Sequence, residues 1–191
     1  MKTFAVLILT ILLPMLASAN IIAEFSGTYL TENLGSTDVK ENSSKYFYNV
    51  AGYLTVKKKL YAGWSYLGIS MTGKSDASGS DQNSSYVTAD TGPVIKYYLD
   101  KRQIYSVTAA YNILSRATFK NVVSDDSESW TGTSFWVAFG LMPEIKNGLH
   151  IGVSINYYSA SYTKKTVDGT ETSESNTKSW LFPSLTISKE W

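Results

Sequence analysis

The feature that most limits this chain is two-residue alternation, sustained longer than a soluble strand needs. Between residues 149 and 162, Leu149, Ile151, Val153, Ile155 and Tyr157 share one parity. His150, Gly152, Ser154, Asn156 and Tyr158 share the other. Successive side chains of a strand point to opposite faces, so this stretch is a strand with one greasy face and one small or polar face. Seven further segments read the same way: 21–30, 46–56, 60–71, 86–99, 103–114, 129–141 and 179–191. Eight strands of about 10 to 13 residues result. Strands of soluble proteins have a mode of about 5 to 6 residues, whereas a strand tilted across a bilayer needs about 9 to 11.

Two places disturb the pattern. In 60–71, Trp64 and Tyr66 suggest one outward face while Leu67, Ile69 and Met71 suggest the other, which a bulge would reconcile. Pro93 and Pro183 fall inside strands, and proline cannot donate a ladder hydrogen bond. The expectation is a bulge or local twist at each, or strand boundaries shifted by a residue or two.

The connections alternate in length. Segments 31–45, 72–85, 115–128 and 163–178 are long and rich in Ser, Thr, Asn, Asp and Glu. Segments 57–59, 100–102 and 143–148 are short. Short turns on one side and long polar loops on the other are the habit of outer-membrane barrels. The expected fold is therefore all-β: an eight-stranded antiparallel up-and-down transmembrane barrel, occupying 20–191 as one domain.

Residues 1–19 read as a cleaved signal peptide. Lys2 precedes an apolar run from Ala5 to Leu13, and Ala17-Ser18-Ala19 forms a cleavage pattern before Asn20. The run is too short to cross about 30 Å of hydrocarbon as a helix. The chain has no cysteine, which excludes a disulfide scaffold and suits the bacterial envelope. A formal net charge of +1 leaves no basic excess for nucleic acid.

The rival architecture is a secreted soluble barrel of the lipocalin kind, with its greasy set inside. Its surface would then be the Ser/Thr/Asn set, whose clear ionisable members are only Glu24, Asp90, Lys96 and Glu190. Water-facing surfaces carry more charge than that. Gly140, Gly152, Ala110 and Ala138 in the same set suit a crowded interior.

With the greasy set facing lipid, the polar set fills the lumen. Glu24 and Lys96 lie at similar heights above the periplasmic end, so a lumenal ion pair is expected. Tyr53, Asn112, Asn156 and Tyr158, with Trp136, are candidates for a hydrogen-bonded plug around it. An eight-stranded barrel has room inside only for side chains, which favours a structural plug over a gated path. Trp and Tyr favour membrane interfaces. Tyr97, Tyr105 and Trp191 are expected near the periplasmic side and Tyr29, Tyr48 and Tyr157 near the external side. His150 is the single histidine. It stands about 13 Å along the strand from Ser154, too far for a nucleophile–base pair. The acids Asp125, Asp126 and Glu128 cluster without the spacing of a metal site. No catalytic residue, cofactor or metal is expected.

On these features the chain resembles small Gram-negative outer-membrane barrels of the OmpA-transmembrane, OmpX and OmpW type. The carriers are the signal segment, the eight amphipathic strands, the loop asymmetry and a final strand ending on an aromatic residue. The stretch Gly92-Pro93-Val94-Ile95-Lys96-Tyr97-Tyr98-Leu99 also looks like a strand of such domains. The resemblance implies location in the outer membrane, contact with its lipid and lipopolysaccharide, and biogenesis through periplasmic chaperones and the barrel-assembly machinery. In that family the machinery reads the last strand, here Leu181, Leu185, Ile187 and Trp191. Lys189 and Pro183 interrupt its alternation, and Trp replaces the more usual Phe. Three functions stand open: a non-catalytic structural or surface-interaction barrel, a narrow channel for small solutes, and a lipid-modifying enzyme.

Overall fold

The computed structural model describes residues 20–35, 40–75, 82–121 and 127–191. The signal segment, Asp125 and Asp126 lie outside these residues. Among the described residues there are nine strands: β1 (Ile21–Gly35), β2 (Lys40–Lys57), β3 (Leu60–Ser75), β4 (Gln82–Tyr98), β5 (Tyr105–Asn121), β6 (Ser127–Leu141), β7 (Glu144–Lys146), β8 (Leu149–Val167) and β9 (Thr170–Glu190). Each long strand pairs antiparallel with the next. β6 pairs with β8 and β9 returns to β1, which closes a ring of eight. β7 is only a short hairpin partner at the base of β8.

Parity sorts the wall as the alternation predicts. Phe25, Val50, Trp64, Ile95, Phe139, Val153 and Leu185 are exposed on the outside. Glu24, Ser26, Asn49, Ser65, Lys96, Thr108, Asn156 and Thr186 are buried inside. In water such a surface would be a severe liability, because soluble monomers rarely expose a continuous apolar band. In a bilayer it is the lipid-facing belt of a closed barrel, whose backbone groups are satisfied between strands.

The eight long strands exceed what the sequence indicates, at 15 to 21 residues each. Much of what reads as long loop is a continuation of the sheet. Residues 163–178 are not a loop. They form a paired hairpin arm turning at Asp168-Gly169, with φ of 48° and 78°. Asn147-Gly148 turns the periplasmic β7–β8 hairpin in the same way, with φ of 50° and 75°. Both dipeptides suit a two-residue turn needing positive φ twice.

The disturbed places resolve differently from one another. β3 holds a regular register with β4 throughout and with β2 from Tyr61 to Ser75, so the expected bulge is absent. Trp64 and Tyr66 face out, while Leu67 and Ile69 face in and are buried. Both faces of β3 are apolar because the upper lumen is itself apolar. At Pro93 an irregularity does occur: Thr91 pairs with Leu114 but Val94 with Ala110. The extra residue lies on β5, which also slips against β6 between Asn112 and Ser115. Gly92 fits this crowding, since a Cβ there would lie 2.2 Å from the Tyr111 carbonyl oxygen.

Pro183 causes no bulge. It keeps register with Ile155 on β8. On its other side the β1–β9 ladder stops at Gly27–Leu185. At the base of that ladder Ile21 and Trp191 exchange both backbone bonds, at 3.3 and 3.0 Å. In an antiparallel ladder every second row repeats this exchange. The row holding position 183 would thus need an N–H aimed at Tyr29, and proline has none.

Candidate functional site

The lumen is built in layers. Nearest the periplasm, Tyr61 donates to Glu190 at 3.0 Å, and Asn20 donates to the same carboxylate oxygen at 3.1 Å. His150 Nδ1 lies 3.1 Å from the Met142 carbonyl, and its ring faces Tyr98 at 6.3 Å. Ser154 instead bonds Ser184 and Thr186, both at 2.9 Å. His150 and Ser154 are thus committed to different neighbours. The Asp100 carboxylate organises the adjoining β4–β5 turn by accepting from the backbone N–H groups of Arg102, Ile104 and Tyr105. Those bonds, Tyr105 first, hold its pKa below the ordinary value.

Above this layer the Lys96 ammonium forms an ion pair with Glu24. Both side chains are almost wholly buried. Tyr53 donates to the same carboxylate at 3.1 Å. Lys96 also approaches Met142 Sδ at 3.7 Å and lies 5.3 Å from the Tyr98 ring centroid. Beside the pair runs a polar belt. Ser26 bonds Thr186 at 2.9 Å and Thr186 bonds Ser154. Asn156 donates to Ser184 at 2.8 Å and accepts from the Trp136 indole at 3.1 Å.

A second carboxylate forms a separate centre. Asp90 is fully buried and accepts from Ser115 at 2.7 Å, Ser134 at 2.8 Å and Tyr158 at 2.5 Å. Asn112 donates to Ser134 at 2.8 Å. The β5 bulge makes this cluster possible. Ile113 and Leu114 both face outward, so Asn112 and Ser115 both turn in. Without the extra residue Ser115 would share the outward parity of Tyr111 and Ile113.

The structure therefore divides the predicted plug in two. Tyr53 joins Glu24 and Lys96, and Asn156 joins Trp136 in the belt beside them. Asn112 and Tyr158 belong to the Asp90 centre instead. Asp90 itself is visible in the sequence only as one of four ionisable members of the inward set. Its partners come from three other strands. One signal was available for the bulge: adjacent Ile113 and Leu114 break the alternation after Asn112.

The external half of the lumen is apolar and aromatic. Phe47 meets Phe182 at 4.5 Å between centroids and Trp136 at 6.3 Å. Trp180 stacks on Tyr158 and abuts Tyr86, each at 5.4 Å. Tyr86 and Tyr162 share a 2.6 Å hydroxyl bond. At the outer rim Glu128 accepts from the Trp130 indole at 3.2 Å and pairs with Lys165 at 2.9 Å. That pairing raises the Lys165 pKa.

On the outer surface Tyr29, Tyr48, Tyr97, Tyr105 and Tyr157 are all exposed. Leu181, Leu185, Ile187 and Trp191 line the outward face of β9, with Lys189 5.7 Å from the Trp191 ring centroid.

No protein-family model and no curated protein matches the chain. Solved structures similar to it are outer-membrane proteins. Neisserial surface protein A aligns at TM-score 0.48 and 12% identity, over 90% of this chain and 97% of that one. The outer-membrane protein AlkL, determined in lipid bilayers, aligns at 0.49 and 14%, over 91% and 90%. OprG from Pseudomonas aeruginosa aligns at 0.47 and 7%, over 91% and 95%. The fold itself stands on this chain's own geometry. Eight antiparallel strands closed in a ring, a lower lumen packed with polar side chains and an apolar exterior make it an outer-membrane β-barrel.

Proposed function

We propose that this barrel is non-catalytic, closed to axial flow, and acts at the cell surface through the sheet extensions that rise above the membrane. One observation carries the reading: the lower lumen is filled by mutually bonded side chains, with Glu24, Lys96 and Tyr53 at its centre. The gap left beside them, lined by Ser26, Ser106, Trp136 and Met142, is about the size of one water. Ion flow would require breaking a buried charge pair, which is costly. Above the plug the outer arm, residues 164–167 paired with 170–173, carries Lys164, Lys165 and Glu171 with Glu174 adjoining, a mixed-charge surface suited to polar partners.

A second reading, passage of small apolar solutes, draws on the aromatic upper lumen. Planar-bilayer recording with the purified chain separates the two. The plugged barrel should show no discrete conductance steps, and Glu24→Ala/Lys96→Ala should introduce them. Steps in the unaltered protein would overturn the proposal.

A further inference from the structure

The wall of the barrel is incomplete on one side. β1 and β9 share six ladder rows, Ile22–Glu190 to Gly27–Leu185. Both strands continue well beyond that point, β1 to Gly35 and β9 back to Thr170. Every other long neighbour pair is laddered over at least thirteen rows. The seam fails where Pro183 removes the donor due to Tyr29.

A cleft of about 80 Å³, open to the outside, lies across this seam. Its walls are Leu30 from β1, Phe47 from β2, Ile69 and Met71 from β3, and Trp180 and Phe182 from β9. The Phe47–Phe182 contact floors it, and the polar belt of Ser26, Thr186 and Ser184 lies beneath. Thr28 and Lys45 also line it, so an entrant from the side meets mainly hydrocarbon and aromatic rings, with one hydroxyl and one ammonium, and stops before the plug.

The depth of the mouth decides what reaches it. Tyr29 stands eight residues above Ile21. At about 3.3 Å per residue and a tilt of about 40°, that is about 20 Å above the periplasmic end. The lipid-facing band of such barrels is about 25 Å tall. The flanking outward residues Tyr29, Tyr46, Leu181 and Leu185 are all exposed. The mouth thus opens among the acyl chains of the external leaflet. Its upper edge also leaves β1 and β9 without a ladder partner for each other, so backbone polar groups there suit the head of an amphiphile.

We infer that the β1–β9 cleft is a lateral binding site for one acyl chain of an external-leaflet amphiphile, tail between Phe47, Ile69, Met71 and Phe182, polar head at the open seam. This is independent of whether the lumen conducts.

The test uses the full barrel in phosphatidylcholine vesicles with a palmitic acid carrying a photoreactive diazirine at its tail. Adducts are mapped by mass spectrometry. Inward cleft residues such as Met71 and Phe182 should be labelled as well as the outward belt. Tyr29→Cys/Pro183→Cys adds the only two thiols in the chain, so an oxidised disulfide can close the seam. Cleft labelling should then fall about tenfold and return on reduction, while belt labelling stays constant. Leu30→Trp, which fills the cleft without touching the seam, should lower it similarly and decides the matter if the disulfide does not form. Labelling confined to the belt in the unaltered protein, or cleft labelling indifferent to the disulfide and to Leu30→Trp, overturns the site.

Discussion

The buried pair of Glu24 and Lys96 offers the sharpest test of how the lower lumen is held. Both side chains are within 3% of full burial. Lys96→Met removes the cation and leaves the carboxylate with the Tyr53 hydroxyl but no counter-charge. Stripping a buried charge of its partner costs about 3–5 kcal/mol. Glu24→Gln leaves the ammonium beside Met142 Sδ and the rings of Tyr53 and Tyr98. A desolvated cation–π contact recovers up to about 2 kcal/mol, so this lesion should cost about 2–3 kcal/mol. The double variant removes both charges, while the amide oxygen introduced at position 24 still accepts from Tyr53. It should lie within about 1–2 kcal/mol of the parent, because a neutral replacement of a buried pair is often tolerated. The coupling is then about 3–7 kcal/mol, read from urea titrations of reversible folding into phospholipid vesicles. It should be insensitive to added salt, since ions do not screen a buried pair well. Costs that add within about 0.5 kcal/mol would mean two independent residues, and would refute the plug as a coupled unit.

Three further outcomes follow from the geometry. Asp90→Asn replaces an acceptor of three hydroxyl bonds with a group that can accept fewer, and should cost about 1.5–3 kcal/mol in the same titration; a neutral result would show the Asp90 centre to be dispensable. Gly148→Ala should cost more than Gly169→Ala, which should cost about 1 kcal/mol or less. Both glycines have positive φ, but a Cβ at Gly148 would lie 2.5 Å from the Glu190 carbonyl oxygen while one at Gly169 meets nothing within 4 Å. Equal costs would contradict the turn assignment. The folded Asp100 carboxyl is depressed below its ordinary 3.8, chiefly by the Tyr105 backbone N–H. The folded chain therefore binds fewer protons there, and the contribution is full above that value and lost as pH falls through the folded pKa. Asp100→Asn should flatten the acid limb of stability against pH, and an unchanged slope below about pH 4 would exclude the turn as its source.

Parity made the barrel legible because most of its strands divide cleanly into lipid-facing and lumenal sets. The contrast fades where the environment is alike on both faces. Above the membrane, water bathes both sides of the sheet, so residues 163–178 alternate polar with polar and read as loop. In β3 the opposite holds: Trp64 and Tyr66 meet lipid while Leu67 and Ile69 meet the aromatic upper lumen, so both faces read as greasy. The pair of Glu24 and Lys96 was legible because height along two strands is countable. The Asp90 centre was not, because it depends on a bulge that turns Ser115 inward and on Tyr158, 68 residues away in sequence. Pro93 and Pro183 look alike in sequence and act differently. The first stands opposite a strand that absorbs an extra residue. The second stands where its missing donor ends a ladder.

That difference ties the two halves of the lumen to the wall around them. A polar interior needs a continuous wall, since lipid offers its groups no partner, and the β1–β9 ladder is intact from Glu190 to Leu185 beside the Ser26, Thr186 and Ser188 layers. An apolar interior carries no such requirement. The ladder lapses only at the level where the inward residues become Phe47, Phe182 and Trp180. Restoring the donor alone, by Pro183→Val, should therefore lengthen the β1–β9 ladder without disturbing the plug. Amide hydrogen exchange would show new protection at position 183 and unchanged rates beside Glu24 and Lys96. Slower exchange throughout the lower barrel would show instead that the seam and the plug are one cooperative unit.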